Sequence, residues 1–204
     1  MTENQWYTLL LEEHVTMENV DGGPDKYILS HNERKNPQRN WEECWKLARL
    51  HGLGPENTSF LFKLLHNTLI TQERLSRTNP KISSLCKFSG CPGTDVETLS
   101  HALVLCPGNN GVGTRVLQTL QSFVPGLGVD ESLHLDFTFE ESLRLPLVFA
   151  MAVALKALWD LRLRKIRPQL YLVRAQLEAK VSLLRKCRHF PNAAAVLDTF
   201  IGKL

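Results

Sequence analysis

No stretch of this 204-residue chain is apolar for long enough to cross a bilayer. The longest apolar run, Leu147–Leu155, ends at Lys156 and falls well short of the roughly 20 residues a spanning helix needs, so it reads as a buried helix. The opening Met1-Thr2-Glu3-Asn4-Gln5 has no basic n-region and leads to no apolar cleavage signal, so no secretory leader is expected. A large net charge is missing too. Lys and Arg number 24 against 21 Asp and Glu, a formal +3, which excludes a polycation. Nor is there a disulfide framework, because five cysteines are an odd number, and Cys44 and Cys187 stand apart from the rest. That usage fits a reducing compartment, and an intracellular location, nuclear and/or cytoplasmic, is the expectation. No internal repeat, G-x-S-x-G or H-E-x-x-H occurs. The run Gly108-Asn109-Asn110-Gly111-Val112-Gly113 lacks the G-x-G-x-x-G spacing, a preceding strand and a Walker lysine, so it reads as a loop.

What is present is enough apolar residue, 43%, to bury a core, and an uneven distribution of charge. Residues 1–25 carry six acids and no Lys or Arg, whereas 156–188 carries ten Lys/Arg against Asp160 and Glu178. Either an anionic partner for the C-terminal part or two mutually attracting faces would account for this. Three segments follow. Residues 1–40 form a poorly defined N-terminal segment and linker, with Gly22-Gly23-Pro24 and a polar stretch around Pro37. A knuckle domain is expected over 41–125 and a helical region over 126–204. Apolar spacing predicts helices over 41–51, about 59–70 with Asn57 or Thr58 as cap, and 72–77 capped by Thr71. Thr94-Asp95-Val96-Glu97 reads as a capping box opening a further helix. A short amphipathic piece over 116–123 precedes helices over about 146–167, 169–188 and 192–202. No hairpin is evident, so the fold class is mainly α: a small zinc-knuckle helical domain followed by a helical C-terminal bundle.

The chemistry concentrates in Cys86, Cys91, His101 and Cys106, a C-x4-C-x9-H-x4-C pattern. Ser89-Gly90 between the first two cysteines lets the backbone turn round an ion. His101 and Cys106 do not share a face of one continuous helix, so the pair requires the helix to stop before Cys106, and Pro107-Gly108 supplies that stop. Three thiols and an imidazole suit one structural Zn2+, and four protein ligands leave no open position for water or substrate. The plainer alternative is three buried cysteines and a satisfied core histidine.

The run Phe62-Lys63-Leu64-Leu65-His66-Asn67-Thr68-Leu69-Ile70-Thr71-Gln72-Glu73-Arg74-Leu75, then the cysteine pair, then Glu97-Thr98-Leu99-Ser100-His101 and Cys106, resembles the reverse-transcriptase zinc-binding region of LINE-type (non-LTR) retrotransposon proteins. The likeness covers about 41–125, and Ala157-Leu158-Trp159-Asp160-Leu161-Arg162 is a weaker echo of the helix that often follows the knuckle in that family. The resemblance implies a role in holding template RNA or target DNA. It implies no enzyme, since no Asp-Asp pair of a polymerase motif exists here and no dispersed acidic set marks an endonuclease.

Candidate phosphate-contacting residues near the knuckle are Arg74, Arg77, Lys81, Lys87 and Arg115. In the C-terminal stretch, Arg162, Arg164, Lys165, Arg167, Arg174, Arg185, Lys186, Arg188 and His189 alternate with Trp159, Tyr171 and a core-facing leucine stripe. Cys44 and Cys187 read as idle or buried thiols. Two further readings stay open: a zinc-stabilised protein-interaction or structural domain, and a zinc hydrolase or deaminase, which the filled coordination shell disfavours.

Overall fold

Helix α1, Gly54–Leu65, begins with a proline, Pro55, whose missing N–H costs nothing in the first turn. Its buried residues Asn57, Phe60, Leu61, Leu64 and Leu65 follow the helical stripe, and Phe62 on the opposite face is exposed. The start lies earlier than the apolar spacing indicated, because neither Asn57 nor Thr58 acts as the cap. The Asn57 side-chain amide turns inward and donates to the Leu53 carbonyl at 2.7 Å. The stop is also earlier: Asn67 takes φ 55, Thr68 N–H reaches Lys63 O and Asn67 N–H reaches Leu64 O, a Schellman end with asparagine in the left-handed place. Thr71 caps helix α2, Gln72–Thr78, as expected, its hydroxyl accepting from Arg74 N–H at 3.3 Å.

The computed structural model describes residues 53–129, 141–186 and 191–204, with single helical positions at 42, 44, 46 and 133. The expected segment 1–40, Trp41, Trp45, Cys187, Arg188 and His189 lie outside the described residues. Among the described residues there is no strand, only an antiparallel bridge between Leu85 and Val96.

Residues 79–98 contain no helix. The backbone then forms a π-helical turn, His101–Leu105, a 3-10 turn, Pro107–Asn109, and helix α3, Val112–Gln121. α3 buries Val112, Val116, Leu117 and Leu120 on one side.

Helix α4, Glu141–Leu163, forms the centre of the fold. Every residue from Leu147 to Leu155 is at most 3% exposed, which is why this helix shows no amphipathic period: it is apolar all round because it is surrounded. α1, α3, the π turn and the two last helices, α5 (Leu170–Lys186) and α6 (Pro191–Lys203), all pack on it. The fold is therefore mainly helical with a helical C-terminal bundle. One continuous core takes Leu61, Leu103 and Leu120 from the expected 41–125 segment and Met151, Leu177 and Phe200 from the expected 126–204 segment. No described helix is long and apolar enough to cross a membrane.

Candidate metal centre

The first two sulfur donors sit on a tight turn. Cys91 N–H reaches back to Phe88 O at 3.0 Å, with Gly90 at φ 84, a conformation that favours glycine. Gly108 presses on the same turn: a Cβ there would stand 2.6 Å from Ser89 O and 2.7 Å from Phe88 Cδ1. The turn hangs on a short pairing with the following segment, in which Cys86 N–H bonds Asp95 O and Glu97 N–H bonds Ser84 O, each at 2.9 Å. This two-rung pairing gave no alternating signal in the sequence.

The other two donors come from the π turn. In an α-helix a five-residue step leaves side chains about 140° apart. Here Cys106 N–H bonds His101 O at 2.8 Å, closing a five-residue ring, and Cys106 then leaves in an extended conformation at ψ 122. The helix thus ends before Cys106, as the ligand spacing required. The carbonyls freed by this ending find side-chain partners: Asn109, 1% exposed, donates its amide to Ala102 O at 2.8 Å, and the Thr114 hydroxyl donates to Val104 O at 3.3 Å. Thr98, and not Thr94, supplies the cap, its hydroxyl accepting from His101 N–H at 3.1 Å. The expected Thr94–Glu97 box does not form, because Glu97 is committed elsewhere.

The four ligand atoms lie within 4.8 Å of one another. Cys86 Sγ and Cys106 Sγ are 3.8 Å apart, too far for a disulfide, and Cys91 Sγ is 3.5 Å from His101 Nε2. A tetrahedral ion with bonds of about 2.3 Å to sulfur and about 2.05 Å to nitrogen gives edges of about 3.8 Å between sulfurs and about 3.6 Å between sulfur and nitrogen. Both observed distances fit, and the Cys3His cluster is compatible with one metal site. Cys86, His101 and Cys106 are buried and Cys91 is half-buried. The local apolar cluster is only Cys86, Phe88 and Cys106 with Cys91 packed beside them, too little to fix residues 79–98 by burial alone.

A further group reaches the site from α4. Arg162 Nη2 donates to Cys86 Sγ at 3.1 Å and meets Glu97 Oε2 at 3.0 Å, and its guanidinium lies 4.4 Å from the Phe88 ring centre. The two side chains of this ion pair are only 6% and 8% exposed. Burial pulls the Arg162 pKa down, but the Glu97 carboxylate and the Cys86 and Cys106 thiols outweigh it, and the net direction is up. Burial pushes the Cys86 thiol up, against hydrogen bonding from Phe88 N–H and Arg162, so the metal-free thiol keeps its proton. Burial also holds His101 below its ordinary value, with Arg162 adding to the effect and Asp95 and Glu97 opposing it, so the imidazole is neutral and able to ligate.

The remaining candidates divide. Arg162 and Trp159, candidates of the basic C-terminal stretch, are buried. Arg74 Nη1 bonds Asn67 O at 2.5 Å and pins the end of α1. Arg115 donates to Lys203 O at 3.0 Å and Leu204 O at 3.3 Å, fastening α3 to α6. Arg77 pairs with Glu73 at 2.5 Å, Arg174 with Glu178 at 3.2 Å, and Arg185 with Asp198. Lys81, Lys87, Arg164, Lys165 and Arg167 are exposed, with no ion pair among the described residues. Cys44 is a buried thiol. The glycine-rich run is the 3-10 turn and the start of α3. Comparison with known proteins finds no matching family model, no matching curated protein and no matching solved structure.

Proposed function

We propose that Cys86, Cys91, His101 and Cys106 hold one structural zinc ion, and that this chain is a zinc-stapled nucleic-acid-binding module akin to the reverse-transcriptase zinc-binding region, without polymerase or endonuclease activity of its own. The observation that carries the metal assignment is the pair of tetrahedral edges, 3.8 Å and 3.5 Å, made by three sulfurs and one ring nitrogen. Thiolate-rich tetrahedral sites suit zinc, and four protein donors leave it no corner for chemistry. When bound, the ion supplies folding energy on the order of 10 kcal/mol to a loop that lacks a core. Three thiolates and a divalent ion leave one negative charge, and Arg162 stands against Cys86 to offset it.

The nucleic-acid part draws on the motif resemblance and on Lys81 and Lys87, exposed cations flanking the first ligand with no carboxylate partner among the described residues. Elemental analysis of the purified chain should find one zinc, and substitution of Cys91 or His101 should abolish it. Oligonucleotide binding should weaken steeply with salt and drop on K81E/K87E. A protein-docking role is the second reading, favoured by the bridged pair Leu85 and Val96, left 39% and 42% exposed. Salt-independent association with a protein, and no binding to nucleic acid, would sustain that reading and overturn the first.

A further inference from the structure

α4 ends in a Schellman motif like that of α1. Lys165 N–H bonds Arg162 O at 2.9 Å and Ile166 N–H bonds Leu161 O at 2.8 Å. The residue in the left-handed place is Lys165, at φ 58. Glycine takes that place without steric cost, and asparagine, which α1 uses, tolerates it through its short polar side chain. Lysine has neither advantage. Its side chain is exposed and makes no hydrogen bond or ion pair among the described residues, so nothing in the fold accounts for a lysine there. A residue kept in a costly conformation directs attention to its side chain.

The surroundings say what that side chain faces. Arg164, Lys165 and Arg167 are three exposed cations in four successive residues, and no described carboxylate pairs with any of them. Leu163 and Ile166 beside them are 61% and 45% exposed, and Tyr171, in the first turn of α5, is 67% exposed. The segment is fixed and not a tail. Arg167 Cζ lies 3.7 Å from where a Cβ on Gly90 would stand, so the loop rests on the knuckle turn. Just after it, Gln169 Oε1 accepts from Asn110 Nδ2 at 3.4 Å.

Resting on the nucleic-acid reading above, we infer that the α4–α5 loop, Arg164–Arg167, together with Tyr171, is a binding surface for single-stranded nucleic acid built against the metal knuckle. Uncompensated cations meet phosphates, and an exposed aromatic ring offers a face on which an unpaired base stacks. A duplex keeps its bases stacked inside and gains nothing from Tyr171. The loop's contact with the Gly90 turn seats this surface on the segment that carries Cys86 and Cys91.

The test is fluorescence anisotropy with the full zinc-loaded chain, a labelled mixed-sequence single-stranded RNA, the matching duplex, and vesicles containing anionic phospholipid. Expected results are tighter binding to the single strand, and a plot of log K against log salt that becomes shallower by about 2 in R164E/K165E/R167E. Y171A should weaken the single strand about tenfold, while Y171F stays within about twofold of the parent. Lys165→Gly is the decisive variant: it should raise the melting midpoint by about 2–4 °C by relieving the left-handed lysine, and still weaken binding. Wild-type affinity and salt slope in both Lys165→Gly and the triple variant would overturn the inference, as would duplex preference with no effect of Y171A, or capture by the vesicles instead of the RNA. If K81E/K87E alone weakens binding, this surface falls and the nucleic-acid reading stands. If the parent binds neither strand, both fall.

Discussion

Arg162 shows best how a single side chain changed meaning between sequence and structure. In the sequence it is one of ten cations between residues 156 and 188, and nothing local separates it from its neighbours. In the fold it is the one buried cation of that stretch among the described residues, because α4 aims it at Cys86 and Glu97. Glu97 is deceptive in sequence for a related reason: three residues after a threonine, it satisfies the capping pattern, and only its partner 65 positions away reveals its use. Arg162→Met should therefore lower zinc affinity about 10- to 100-fold in a chelator competition, with Arg162→Lys falling between the two. Part of that loss comes from leaving Glu97 as an uncompensated buried charge. Arg164→Met, one turn-step further out, should leave zinc affinity unchanged. Gly108→Ala is the steric counterpart. Its methyl would meet Ser89 O and Phe88 Cδ1 well inside contact distance, so the turn carrying Cys91 must move. Reduced zinc retention on dialysis is the expected outcome.

Among the elements, the π turn sets the behaviour of the site with pH. His101 sits on it with a pKa below the ordinary value near 6.5, so between those two values the unfolded chain binds more protons than the folded one. Metal-free protein should accordingly lose stability as pH falls through about 6.5. Cys86 contributes with the opposite slope: its raised pKa means that its share is complete below the ordinary thiol pKa and is lost as pH rises through the raised value. Zinc binding displaces the thiol protons, so zinc affinity should rise with pH, and titration of the metal at fixed pH should release protons to a buffer indicator. Constant affinity between pH 5.5 and 7.5 would contradict the assigned ligand set. The helices themselves were largely legible. α2, with its Thr71 cap, followed from local spacing alone, and so did the stripe of α1 and the three C-terminal helices. Their ends were not, because α1 and α4 stop on left-handed Asn67 and Lys165, whose roles depend on backbone hydrogen bonds that leave no composition signal. The bridge between Leu85 and Val96 was invisible for a similar reason: both side chains remain exposed, so no apolar alternation marks it.

Across the fold, burial is unevenly distributed. The bundle around α4 has a core running from Cys44 to Leu204, whereas residues 79–98 have almost none. Chelation should therefore remove amide protection over about 79–109 in a hydrogen-exchange experiment while leaving residues 147–158 and 173–184 protected. Uniform loss throughout would mean that the metal holds the bundle as well. Leu158→Ala, in contrast, should cost about 2–5 kcal/mol in denaturant unfolding of the zinc-loaded protein, because Leu158 is 1% exposed at the centre of α4. The sequence indicated a mainly helical chain with a bundle at its end, and its spacing picked out the four members of the Cys3His cluster. It carried no sign that α1 and α3 join the C-terminal helices in one core, since contacts between α1, α3 and α4 link positions far apart in the chain.

The five-residue ring between His101 and Cys106 also governs where the chain tolerates a change in length. Deleting one residue from Ala102–Leu105 would restore an ordinary α-helical turn, swing the Cys106 thiol away from the other three donors and free the Asn109 amide from Ala102. The looped spacer between the second cysteine and the paired segment is constrained by shape: Gly93, at φ 75, runs so close to Cys86 that a Cβ on it would stand 3.3 Å from the Cys86 carbonyl oxygen. Two neighbouring spacers within one motif are thus held by different means, the helical one by its register and the looped one by a glycine that lets the backbone pass Cys86.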